Sequence, residues 1–87
     1  MVAIRYTRHA RYKFEVLERH GFPVTESQIA DTLARPDIVI QQPEGRYIAQ
    51  KRLTERHVLR VVYRHENSDL VVITFYPGRR ARYEDPV

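Results

Sequence analysis

Two runs rich in β-branched and aromatic residues stand side by side near the end of this chain, and they dictate a sheet. His57-Val58-Leu59-Arg60-Val61-Val62-Tyr63-Arg64-His65 and Leu70-Val71-Val72-Ile73-Thr74-Phe75-Tyr76 both have strand composition. The residues between them, Glu66-Asn67-Ser68-Asp69, form a turn cluster. Strands joined by so short a connection pair antiparallel. Two more strand-like segments lie upstream. Asp37-Ile38-Val39-Ile40-Gln41 is followed by the turn Pro43-Glu44-Gly45, and Arg46 to Leu53 alternates loosely before Thr54-Glu55-Arg56 turns into the third strand. Pro77-Gly78 is expected to close the fourth.

The first third of the chain has a different period. From Ala10, apolar side chains recur at Phe14 and Leu17, while Arg8, Arg11, Lys13, Glu15, Glu18 and Arg19 fall on the opposite side. Thr7 stands ahead of this run as its N-cap, and His20-Gly21 ends it, since glycine accepts the left-handed C-cap conformation. The first helix is therefore expected over 8–20. Thr25-Glu26-Ser27-Gln28 matches a capping box and opens a second helix, which carries Ile29 and Leu33 inward and stops at Arg35-Pro36. Residues 2–6 form either a short N-terminal strand or a lead-in. The expected fold is α+β: two N-terminal helices packed on one face of a four-stranded antiparallel sheet, in a single domain spanning 1–87.

Composition narrows the function classes. The chain has 87 residues and no cysteine, so thiolate metal sites and disulfide frameworks are excluded. No run approaches the ~20 apolar residues of a membrane helix, and the start lacks a signal-peptide core. A soluble cytoplasmic protein is expected. Lys and Arg exceed Asp and Glu for a formal charge of +4, and 13 of the 15 basic residues are Arg. Guanidinium is a planar fork that matches phosphate and carboxylate geometry, so nucleic acid or another acidic partner is the expected ligand class, with an ordinary Arg-rich soluble surface as the alternative. His57 and His65 lie eight apart on one strand, too far to share an ion. No metal and no cofactor are expected.

Strand alternation sorts the polar residues. Leu59, Val61 and Tyr63 share one face, opposite Val58, Arg60, Val62 and Arg64. In the last strand, Val71, Ile73 and Phe75 are expected to meet the helices, leaving Thr74 and Tyr76 on the open face. Either Lys51 or Arg52 joins that face, as the two alternate.

Several short stretches carry a family resemblance. Tyr6-Thr7-Arg8-His9-Ala10, Arg19-His20-Gly21, Leu33-Ala34-Arg35-Pro36-Asp37, Leu59-Arg60-Val61-Val62-Tyr63 and Val72-Ile73-Thr74-Phe75-Tyr76-Pro77 resemble an uncharacterised bacterial and phage domain family grouped with the RelE and BrnT toxins. The resemblance covers nearly the whole chain. It implies a RelE-like fold, metal-independent RNA cleavage on or off the ribosome, and a small antitoxin protein as partner. Carried onto this sequence, the implied site residues are His9 in Thr-Arg-His-Ala, Arg60 in Leu-Arg-Val-Val, and Thr74 and Tyr76 in Ile-Thr-Phe-Tyr.

The chemistry asks for the same residue types. RNA cleavage without a metal needs a base for the ribose 2′-hydroxyl, cations for the pentacoordinate phosphorane and an acid for the leaving 5′-oxygen. Histidine exchanges protons near neutral pH, and His9 sits at a helix start, where backbone amides favour an anion. Its alternative is to cap a turn or pack on the sheet edge. Arg60, with Lys51 or Arg52, is the candidate cation; the alternative for Arg60 is a solvated side chain paired with Glu55 or Glu66. Thr74 either bonds phosphate or serves as an ordinary strand residue. Tyr76 stacks on a base, donates a proton, or packs at the core edge. Arg8, Arg11, Arg52, Arg79, Arg80 and Arg82 are candidate contacts to backbone phosphate. For the last three, the alternative is a frayed chain end.

Overall fold

The computed structural model describes residues 2–84. Its elements are β1 (Ile4–Tyr6), α1 (Arg8–Arg19), α2 (Glu26–Ala34), β2 (Ile38–Gln42), β3 (Arg46–Arg52), β4 (His57–Glu66), β5 (Asp69–Arg79) and α3 (Arg80–Tyr83), with one 3-10 turn at Pro43–Gly45. All five strands form one sheet in the order β1-β5-β4-β3-β2. The meander from β2 to β5 is antiparallel throughout. Of the two alternatives for residues 2–6, the short strand is the one formed, as β1; its parallel pairing with β5 corrects the expectation of a wholly antiparallel sheet and makes it mixed. Such a pairing joins the two ends of the chain, so no local turn signal announces it.

The helices start and stop where the side chains require. The Thr7 hydroxyl accepts the Ala10 amide at 3.1 Å and caps α1. Gly21, at φ +80°, takes the left-handed position just past the end of α1. At α2 the capping box is complete: the Thr25 amide donates to Gln28 Oε1 at 2.9 Å, and the Gln28 amide donates to Thr25 Oγ1 at 3.1 Å. The β4–β5 hairpin turns at Asn67, whose φ of 57° suits asparagine better than a branched side chain.

One core lies between the sheet and the pair α1 and α2. Ala10, Leu17, Val24, Ile29, Leu59, Val61, Val72 and Phe75 are buried together there. Each fully buried Leu, Ile, Val or Phe contributes roughly 1.5–3 kcal/mol against the entropy of ordering the chain. Phe14 closes the cluster, its ring 4.6 Å from that of Phe75 and 5.5 Å from that of Tyr6.

Two features of β5 differ from strict alternation. Val62 pairs with Thr74 but Tyr63 pairs with Val72, so Ile73 is an extra residue, a bulge. The bulge shifts the facing: Val72 as well as Phe75 enters the core, while Val71 pairs with Arg64 on the other face. The strand also continues through Pro77 and Gly78 to Arg79 rather than ending at Pro77. β1 has ended by then, and a proline is tolerated on an edge. The alternative of a frayed chain end at Arg79, Arg80 and Arg82 does not hold: Arg80–Tyr83 forms α3, and the Arg80 amide donates to the Arg56 carbonyl at 2.8 Å.

Candidate functional site

Thr7 is the joint that places the first half of the site. Its amide donates to the Val72 carbonyl and its hydroxyl to the Ile73 carbonyl, both at 3.0 Å. That same hydroxyl oxygen caps α1. The carbonyl of the bulged residue thus accepts from the residue that caps the helix. In consequence, the first turn of α1 sits against the stretch of β5 that β1 no longer covers. His9 Nε2 then lies 3.1 Å from Thr74 Oγ1. His9 is exposed and Thr74 half-buried, so the pair is open to solvent.

The second half lies two residues along β5. Gln50, Arg60 and Tyr76 are in register across β3, β4 and β5. Arg60 Nη1 donates to Gln50 Oε1 at 2.7 Å, and Arg60 Nε donates to the Tyr76 hydroxyl at 3.1 Å. The guanidinium carbon sits 4.1 Å from the centroid of the Tyr83 ring. Gln50 Nε2 returns a hydrogen bond to the Tyr83 carbonyl at 3.3 Å. Gly78 makes this possible, for a Cβ there would fall 2.3 Å from the Tyr83 ring. Arg60 is therefore only 9% exposed, and among the described residues its partners are neutral. It pairs with neither Glu55 nor Glu66. Glu66 engages Arg5 and Arg64 instead, so the solvated ion pair considered for Arg60 from sequence gives way to a buried polar network.

The other candidates divide. Lys51 faces the helices, where its ammonium donates to the Arg35 carbonyl at 2.7 Å and closes the C-terminus of α2. Register puts it opposite core residue Leu59, so it is separated from the Arg60 row by the thickness of the sheet. Arg52 is the one of the pair on the open face, 3.3 Å from Glu84. Arg8 is exposed at the start of α1. Arg11 bonds Glu26 at 3.0 Å and covers the Tyr6 ring, on the side of α1 nearer α2. Arg79 and Arg80 lie beside the β3–β4 turn, and Arg82 stands 5.7 Å from the Tyr83 ring.

Glu84 fixes α3 in place. Arg80, hydrogen-bonded to it, and Arg52 beside it hold its carboxyl below the usual carboxylate range. Sequence reasoning missed Gln50 and Tyr83. Gln50 looks like any polar strand residue until the register sets it opposite Arg60. Tyr83 has no signal at all before α3 is seen to fold back over the sheet.

Among the described residues, no three His, Asp or Glu side chains come together in the geometry of a metal site. No helix there is long and apolar enough to cross a membrane. Comparison with family models, curated proteins and solved structures gives no match.

Proposed function

We propose that this chain is a metal-independent endoribonuclease of the RelE/BrnT toxin type, acting in the cytoplasm and held in check by a small antitoxin protein. The supporting observation is one row of side chains. The His9–Thr74 contact and the Arg60–Tyr76 contact fall on successive same-face positions of β5, about 7 Å apart along the strand. A phosphodiester laid across this row meets a proton acceptor at one end and a cation with a phenol at the other.

In this reading Thr74 Oγ1 accepts from His9 Nε2–H and orients the ring, and His9 Nδ1 takes the proton of a ribose 2′-hydroxyl. The 2′-oxygen attacks the adjacent phosphorus and forms a 2′,3′-cyclic phosphate as the bond to the 5′-oxygen breaks. Arg60 stabilises the charge of the phosphorane. Its Nε donates to the Tyr76 oxygen, which leaves the phenolic hydrogen for the departing 5′-oxygen. Lys51 has no part, because it serves the other face of the sheet.

The test is incubation of labelled single-stranded RNA with purified protein in EDTA. Wild type is expected to yield cyclic-phosphate ends, and His9→Ala to lose about 10²-fold or more in rate. Arg60→Lys keeps a charge but loses the fork, and a comparable loss is expected. Undiminished cleavage by both variants would remove the site from consideration.

A second reading is a non-catalytic RNA- or protein-binding module of the same fold. The cover of Tyr83 over Arg60 favours it, since a guanidinium held by Gln50, Tyr76 and an aromatic face is also a good structural element. It predicts salt-sensitive RNA binding with no product and wild-type behaviour of His9→Ala.

A further inference from the structure

Beyond the Arg60 row, at the end of the sheet where the β3–β4 turn meets the start of α3, lies a cleft of about 670 Å³. Its charged lining is Arg52, Glu55, Arg56, Arg79, Arg80 and Glu84: four guanidiniums and two carboxylates, an excess of two positive charges. Glu84 is already engaged by Arg80 and Arg52. Arg56 and Arg79 line the cleft, and among the described residues neither enters an ion pair.

The walls are held in place before any ligand arrives. Thr54 Oγ1 accepts the amides of Arg56 and His57 at 3.2 and 3.1 Å, which fixes the turn that presents Arg56. Arg80 ties that turn to α3 twice, through its amide to the Arg56 carbonyl at 2.8 Å and through Nη1 to the Glu55 carbonyl at 2.6 Å. His57 pairs with Arg79 in the β4–β5 ladder, so both flanks rest on the same two strands. The backbone that carries Arg56 and Arg79 is thus fixed in advance, so binding has only their side chains to order.

We infer that this cleft binds the terminal phosphomonoester of an RNA strand, with Arg56 and Arg79 as its principal contacts. Charge selects the ligand. An internal phosphodiester carries one negative charge, whereas a terminal monoester carries about 1.5–2 near pH 7 and matches the excess in the cleft. A fork of guanidinium donors suits its three free oxygens. The position suits it too. Thr74, Tyr76 and Gly78 follow one another on the open face of β5, so the cleft lies about 13 Å from the His9–Thr74 pair. A strand end anchored there would present a nearby linkage to His9, so this inference rests on the proposed function for its meaning.

The experiment measures binding rather than cleavage, so the two stand or fall separately. Oligonucleotides with 2′-O-methyl riboses, which cannot be cleaved by 2′-attack, are compared as 5′-phosphate, 3′-phosphate and unphosphorylated forms. One phosphorylated form is expected to bind about tenfold tighter than the unphosphorylated one. Which end gains gives the polarity of the strand. Arg56→Gln with Arg79→Gln is expected to abolish the gain, while Arg19→Gln, at a residue that bonds Tyr12 on α1 and does not line the cleft, retains it. Thermal melting confirms that each variant is folded, and Arg56→Gln alone, in an exposed turn, serves if the double variant is not. Equal affinity for all three forms overturns the inference. So does inorganic phosphate alone displacing the oligonucleotide at the affinity of the gain, which would make the ligand a free phosphate. Intact natural RNA alongside a phosphate-dependent gain would remove the nuclease and leave the cleft.

Discussion

Arg60 is the residue whose environment says most. A charge taken this far out of water without a counter-charge among the described residues must be held by hydrogen bonds and by aromatic faces. Gln50 supplies the one neutral carbonyl oxygen in contact with it. Gln50→Ala is therefore expected to destabilise the fold by about 2 kcal/mol, the range for hydrogen bonds to charged groups, as read from urea unfolding. Gly78→Ala acts on the same centre from the other side. Its methyl group overlaps the Tyr83 ring, which must move, and α3 is expected to shift with it. A loss of about 1–3 kcal/mol is expected, along with faster hydrogen exchange at the Glu84 amide, which bonds the Arg80 carbonyl. Unchanged exchange at that amide would mean that Tyr83 moves alone.

At the scale of elements, what builds the site is the way local signals interlock. The Thr7 cap, the Ile73 bulge and the edge of β5 form a single construction, since one hydroxyl serves both helix and strand. Thr25→Ala at α2 removes an ordinary cap and is expected to cost about 1 kcal/mol in unfolding experiments. Thr7→Ala is expected to cost more and also to loosen the His9–Thr74 contact, so RNA cleavage should fall in this variant but not in Thr25→Ala. Acid sensitivity belongs to this scale as well. Arg5 and then Arg64 hold the Glu66 carboxyl below its ordinary value, linking β1 to the β4–β5 hairpin. Arg80 and Arg52 do the same for Glu84 at α3. For carboxyls depressed in the folded state, the stabilisation is whole above the unfolded pKa, about 4.3, and is lost as pH falls through the folded value. Urea midpoints measured from pH 6 downward should therefore drop below about pH 4.3. Glu66→Gln and Glu84→Gln should each flatten that drop.

For the whole molecule, the Arg60 row on the open face and a basic cluster at the end of the sheet form one strip. Arg52, Arg56, Arg79 and Arg80 lie at the end of a row that contains Arg60, Tyr76 and Thr74. If single-stranded RNA follows the strip, log affinity falls linearly with log salt, with a slope of about −0.7 per neutralised phosphate. Replacing Arg79 and Arg80 together should make the slope shallower by about 1–1.5, measured by titration over a range of salt concentrations. Arg11 is held away from this strip by Glu26 and the Tyr6 ring, so Arg11→Gln should leave the slope nearly unchanged.

Much of this architecture is legible in the sequence because it is local. The helical spacing of Ala10, Phe14 and Leu17, the capping box at Thr25, the turns at Pro43–Gly45 and Asn67, and the apolar runs of β4 and β5 each act within a few residues. Alternation likewise puts Arg60, Thr74 and Tyr76 on the face away from α1 and α2. Tertiary structure alone decides what depends on segments distant in sequence. The parallel pairing of β1 with β5, the bulge that turns Val72 inward, the row of Gln50, Arg60 and Tyr76, and the folding of Tyr83 over that row all join residues with no sequence proximity. Their positions follow from satisfying every backbone group and filling one core at once, a condition on the whole chain that no window of it contains.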